Sequence, residues 1–264
     1  MRFPQGAADI WFGAPCEPRD EDLAVLSAAE RHRVYALRSG ASADYAAAHV
    51  GLRRILAGYL DVRPDRLRLG RSLCPECGDP AHGPPRVLWP ETDLAYSFSR
   101  SAGAWLLGVT RGRPLGVDLE AREPVSPEQT APIAFTEAEL AHLLARSGPE
   151  RDRLFLCCWT RKEAVVKAVG VGLVADLCRI EVYPQHQGPV LVSFGLPPGP
   201  EAWTVQGLDL APGVTAALAR TDGSTGPVRI RHYGADPLPG GAQPPGPARA
   251  DTPRQDSPIR SHSR

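Results

Sequence analysis

The sharpest chemistry in the chain lies in two short segments. The first is Gly116-Val117-Asp118-Leu119-Glu120. A strand turns successive side chains to opposite faces. Val117 and Leu119 therefore point into a core, while Asp118 and Glu120 share the other face. Neighbouring carboxylates repel unless a cation lies between them. Oxygen-only ligands suit a hard ion, and Mg²⁺ is usually held by a few carboxylates with water and substrate phosphates. A solvated strand face would carry the same pattern, so this segment alone leaves both readings open.

The second segment runs from Trp159 through Arg161, Lys162, Glu163, Ala164 and Lys167 to Gly170, Gly172 and Leu173. On a helix, Trp159, Glu163, Lys167 and Gly170 fall on one face. Glu163 and Lys167, four residues apart, also form a favourable ion pair that needs no function. That pair does not explain the lysines. Of 30 Lys and Arg residues only Lys162 and Lys167 are lysines. An ammonium is a compact point charge that can lose its proton when buried, so it does not replace arginine freely. A carboxylate on this face completes a metal site, and Lys167 can neutralise a phosphate.

These residues need elements to hold them. The chain pattern predicts an irregular stretch over 5–22 after a short first strand, a helical region over 22–35 and a long amphipathic helix over 44–60. Strands follow at 66–70, 93–98, 104–110 and 115–120, with a proline-rich loop over 74–90. Thr136 and Glu139 form a capping-box pattern that opens a helix over 136–145. A second long helix covers 151–169 and stops at Gly170. Strands at 179–183, 190–194, 204–209, 214–220 and 228–233 complete the fold. This divides the chain into an N-terminal half, 1–114, and a C-terminal half, 115–233. From residue 234 the chain is dominated by Pro, Gly, Ser, Arg and Asp, and 234–264 reads as a disordered tail.

Composition narrows the class. The 264 residues are 42% hydrophobic and 23% charged, which fits a soluble globular protein. Net charge is zero, which argues against a nucleic-acid binder. No apolar run reaches membrane-spanning length. The N-terminus lacks a signal-peptide pattern, and six cysteines do not form a disulfide framework here, so a cytoplasmic location is expected.

Together, Gly-Val-Asp-Leu-Glu, then Phe135-Thr136-x-x-Glu139, then Trp-x-x-Lys-Glu-Ala-x-x-Lys-x-x-Gly-x-Gly-Leu resemble the 4′-phosphopantetheinyl transferases of the surfactin-synthetase-activating type. The resemblance runs from about residue 26 to residue 220. It implies an α+β fold, a pseudo-dimer of two similar halves, each a small, mainly antiparallel sheet packed on a long helix. It implies transfer of the phosphopantetheine arm of coenzyme A (CoA) to a serine of an apo acyl or peptidyl carrier protein. Mg²⁺ would be the cofactor, 3′,5′-ADP the leaving group and a monomer the working form. Such carriers serve fatty-acid, polyketide or nonribosomal-peptide synthesis. A non-catalytic CoA- or carrier-binding relative is the alternative.

By resemblance, Asp118, Glu120 and Glu163 match the metal carboxylates, with Glu163 also a candidate general base. Lys162 and Lys167 match the two family lysines, Lys167 being the one nearer the transferring phosphates. Segment 96–101, with Ser99 and Arg100, matches a Phe-Asn-x-Ser-His-Ser element that contacts the nucleotide end of CoA. Arg33 falls where basic residues approach the CoA phosphates, and Arg53 matches the basic residue of the N-terminal helix. Arg53, Arg54 and Arg161 are also candidates for a basic rim facing an acidic carrier, although for each singly a solvated arginine is the plainer reading. Two departures stand out. Arg100 replaces the family histidine, and Pro84 replaces the basic residue of a Gly-(Lys/Arg)-Pro turn, whose contact is lost or passes to Arg86.

Cys74-Pro75-Glu76-Cys77 with His82 looks like half a zinc knuckle. A structural zinc site takes four ligands, and only three candidates lie nearby. A loop that stabilises a turn beside the CoA pocket is the simpler reading.

Overall fold

The computed structural model describes residues 6–121, 127–171, 175–196, 199–224 and 226–241. The fold is α+β, with two sheets each covered by a 22-residue helix. The first sheet orders its strands β10-β1-β5-β4-β3-β2. These are β1 (Ala8–Gly13), β2 (Arg68–Arg71), β3 (Pro85–Trp89), β4 (Leu94–Ser101), β5 (Ala104–Arg111) and β10 (Val228–His232). Pairing is antiparallel except where β10 runs parallel to β1. The second, fully antiparallel sheet orders β6-β9-β8-β7: β6 (Leu115–Ala121), β7 (Val190–Ser193), β8 (Ala202–Leu208) and β9 (Val214–Thr221).

Alternation along β5 decides the layering. Trp105, Leu107 and Val109 face α2 (Ser39–Leu60) and pack with Leu52, Ile55 and Leu56. Ala104 and Leu106 face the other way and meet Val117, Leu119 and Leu218 of the second sheet. On the far side, α5 (Gly148–Val169) buries Phe155, Val165 and Val166 against Val192, Trp203 and Val205. Gly116 lets α5 lie directly on β6, because a Cβ there would sit 1.9 Å from the Ala164 carbonyl oxygen. Gly170 ends α5 in the left-handed region, at φ 87°. Among the described residues the other α-helices are α1 (Ala28–Ala36), α3 (Pro127–Ala134) and α4 (Glu137–Leu144). Thr136 caps α4 with the expected Glu139 capping box.

Several expectations are corrected. Strand β1 lies inside the supposedly irregular stretch. It is buried on both faces, so its sequence lacks the alternation of a half-buried strand. Strand β3 lies inside the predicted loop, with Pro85 at its first position, where no ladder donor is required. Helix α3 was not foreseen. Segment 179–183 is not a strand, because its carbonyls cap buried cations of α5, as described below. The boundary at 233 also fails. β10 returns to the first sheet, and the chain continues onto α2, where Leu238 is 4% exposed. The tail reading for 242–264, and Gly172 and Leu173 of the helical motif, lie outside the described residues.

Candidate active site

The two sheets meet where β4 crosses β6, and three serines spaced two apart stitch the seam. Ser97 Oγ accepts the Val117 N–H at 3.0 Å. Ser99 Oγ donates to Asp118 Oδ1 at 2.7 Å. Ser101 Oγ donates to Glu120 Oε2 at 2.7 Å. Period-two geometry puts all three on one face, and it fixes the rotamers of the two carboxylates.

Helix α5 crosses this seam. Lys167 Nζ reaches Asp118 Oδ1 at 2.5 Å and donates to Ser99 Oγ at 3.0 Å. Asp118 is almost wholly buried, yet its Oδ2 has no partner, and neither has Glu163 Oε1. Buried carboxylate oxygens without partners are costly. Burial, and then repulsion from Asp118 and Glu120, push the Glu163 carboxyl up to about 7 against the opposing pull of Lys167. The donor set, two orphaned oxygens among three carboxylates, fits a hard divalent cation. Among the described residues no three His, Cys, Asp or Glu side chains form a ready-made cage. The set suits an ion whose remaining ligands are water and substrate phosphates.

Glu163 and Lys167 line a cleft of about 520 Å³ together with N-terminal residues that include His49, Arg71, Tyr96 and Phe98. His82, Gly83 and Pro84 form a further side. Arg71 donates to the Gly83 carbonyl at 2.8 Å. His49 stacks on Tyr45 with centroids 4.0 Å apart and contacts Glu30 Oε1 at 3.3 Å. Burial alone would raise Glu30, but hydrogen bonds from His49 and Ser27 and the Arg53 charge outweigh it and hold the carboxyl at about 2.

The structure separates the expected site residues into two groups. Asp118, Glu163, Lys167 and Ser99 converge, with Glu120 one step along β6. Arg33 and Arg100 are exposed beside Tyr45, where the Arg100 guanidinium lies 5.0 Å above the ring. Strand alternation thus puts Arg100 on the face opposite Ser99. Lys162 and Arg53 are corrections. The Lys162 ammonium is fully buried and bonded to Glu139 Oε2 at 2.7 Å and the carbonyls of Leu177 at 2.8 Å and Ile180 at 2.6 Å. With all three donors used, it has none left for a cofactor. Arg53 is 2% exposed and spent on Glu30, Pro64 and Leu67. The expected basic rim fails similarly. Arg161 is buried on the carbonyls of Val182, Tyr183 and His186, and Arg54 is tied to Asp22 and Tyr233. Arg86 lines a second cavity of about 550 Å³, which it shares with Lys167. Sequence reasoning missed Arg71 in the cleft lining. The signal for the seam was present, as three serines at alternate positions of one strand.

Fold and site together define an α+β protein in which α5 brings Glu163 and Lys167 to a cleft otherwise lined by N-terminal residues. Residues 114–219 match the sequence profile of the 4′-phosphopantetheinyl transferase superfamily. The chain is 33% identical over 132 residues to the 4′-phosphopantetheinyl transferase HetI of Nostoc sp. (strain PCC 7120), covering 50% of this chain and 53% of HetI. It is 29% identical over 126 residues to the 4′-phosphopantetheinyl transferase Sfp of Bacillus subtilis (strain 168), covering 48% and 54%. A third relative, the 4′-phosphopantetheinyl transferase ffp of Bacillus subtilis, is 30% identical over 105 residues, covering 40% and 46%. The chain spans about half the length of these curated relatives.

Proposed function

We propose that this protein is a 4′-phosphopantetheinyl transferase of the Sfp type, acting in the cytoplasm on apo carrier proteins. The reading is carried by one observation: the unpartnered oxygens of Asp118 and Glu163 beside Lys167, where Glu163 and Lys167 line a cleft shared with the N-terminal half. The reaction joins a carrier serine oxygen to the β-phosphorus of CoA and releases 3′,5′-ADP.

Asp118 and Glu163 would hold Mg²⁺, with Glu120 beside them, and the ion would neutralise pyrophosphate charge. Lys167 would leave Asp118 for a phosphate oxygen and offset charge growing on the leaving group. Ser99, bonded to both Asp118 and Lys167, keeps the carboxylate oriented during that exchange. Glu163, poised near neutral pH, would accept the serine proton. Arg71 in the cleft wall and Arg33 with Arg100 at the rim would offer guanidinium charge to the remaining CoA phosphates.

The test is intact-protein mass spectrometry of an apo carrier incubated with this protein, CoA and Mg²⁺, with an EDTA control. The expected result is a gain of about 340 Da, one phosphopantetheine, that EDTA abolishes. CoA binding with no transfer across fatty-acid, polyketide and peptide carriers would overturn the enzyme reading.

A further inference from the structure

One motif is left unused by that function. Cys74 and Cys77 sit on the loop joining β2 to β3, both as free thiols, with Cys74 buried and Cys77 exposed. Gly78, at φ 73°, closes the turn, and its N–H bonds to the Cys74 carbonyl at 2.9 Å. Both cysteines therefore stand on one tight turn, and backbone N–H groups of Cys77 and Glu76 hold the Cys74 thiol below its ordinary range. Cys77 Sγ lies 3.4 Å from His82 Nδ1. That contact links the turn to the cleft, because His82, Gly83 and Pro84 line it. The loop is pinned at its base by the Ser72 N–H on the Pro84 carbonyl, at 2.9 Å. Pro84 in turn abuts Gly170 at the end of α5.

We propose that Cys74 and Cys77 form a reversible dithiol–disulfide site, oxidised by peroxide, whose closure withdraws the Cys77 contact from His82 and weakens CoA binding in the cleft. The CoA effect rests on the function proposed above, while the disulfide does not. The chemistry balances. Peroxide oxidises the exposed Cys77 thiol to a sulfenic acid and leaves as water. The Cys74 thiolate then attacks that sulfur, the S–S bond forms, and hydroxide departs and takes the remaining thiol proton as a second water. Two thiol hydrogens and two electrons pass to the peroxide. Small thiols reverse the step by exchange.

Trypsin decides the first half cleanly, since cleavage after Arg71 and Arg86 releases both cysteines in one peptide, residues 72–86. After peroxide treatment of the full chain and alkylation, that peptide should be about 2 Da lighter than its reduced, unalkylated form and carry no alkyl group. Dithiothreitol should restore two alkylation sites. Cys77→Ser, which keeps a hydroxyl for His82, should form no disulfide. Calorimetry should show CoA affinity about three- to tenfold weaker after oxidation, the worth of one hydrogen-bonded anchor. The loss should reverse with reductant and be absent in peroxide-treated Cys77→Ser. Oxygen adducts on unlinked cysteines, one tightly held zinc per chain that blocks oxidation, or a disulfide that leaves CoA affinity unchanged would each overturn the proposal. A reduced protein that binds no CoA would sink the proposed function instead, and the peptide mass would still decide the disulfide.

Discussion

Lys162 and Lys167 stand five residues apart on one helix and are the only lysines in the chain, yet they live in opposite surroundings. Lys162 is sealed among Glu139 and two carbonyls, with no exposed surface. Lys167 keeps 28% of its side chain exposed, at a site where two carboxylate oxygens have no partner. A buried charge whose donors are all matched is a strut. A buried charge beside unmatched acceptors leaves interactions for a ligand to complete. The difference shows which of two equally eye-catching lysines belongs to chemistry and which to architecture.

The largest effect expected of breaking the cleft side is kinetic. Asp118→Asn removes one of the carboxylates proposed to hold Mg²⁺ and the ionic partner of Lys167, and transfer should fall at least about a hundredfold while the fold survives. Steady-state transfer with a circular-dichroism melt checks both. Breaking the architectural side should do the reverse. Lys162→Met leaves the buried Glu139 carboxylate without its counter-ion, which costs about 3–5 kcal/mol. Chemical denaturation should show that loss. If Lys162→Met instead folds normally and loses CoA affinity, the assignment of the two lysines is reversed.

A smaller effect sharpens the comparison through pH. The Glu163 carboxyl rises from its ordinary 4.5 to about 7 in the folded state. Its contribution is therefore fully present below pH 4.5 and is lost as pH climbs through 7. With EDTA present, wild type should lose on the order of 2 kcal/mol relative to Glu163→Gln between pH 5 and 8. Parallel denaturation curves at the two pH values test this, and equal slopes for the two proteins would contradict it. The smallest effect belongs to the rim. Arg100 lies over Tyr45, so Tyr45→Leu should raise KM for CoA about two- to fivefold with little change in kcat. Equal changes in both would place Tyr45 in the chemical step.

Much of this arrangement was legible in residue order. Alternation in 116–120 gave the shared face of Asp118 and Glu120, the Thr136–Glu139 box gave the start of α4, and Gly170 gave the end of α5. What stayed hidden was non-local. Whether a motif lysine or arginine points to solvent, ligand or carbonyl depends on segments far along the chain. For Lys162 these are Glu139, Leu177 and Ile180; for Arg53 they are Glu30, Pro64 and Leu67. Carbonyls of Ile180, Val182 and Tyr183, taken by Lys162 and Arg161, explain why 179–183 could not pair as a strand, and β1 hid because both its faces are buried.

The most direct test of the central claim pairs transfer and binding in one variant, Glu163→Gln, which removes a proton acceptor and keeps the side chain's size. Phosphopantetheine transfer to an apo carrier should fall about a hundred- to ten-thousandfold, while CoA affinity by calorimetry stays within about threefold of wild type. Affinity and rate falling together by the same factor would contradict that claim and reduce Glu163 to a binding residue.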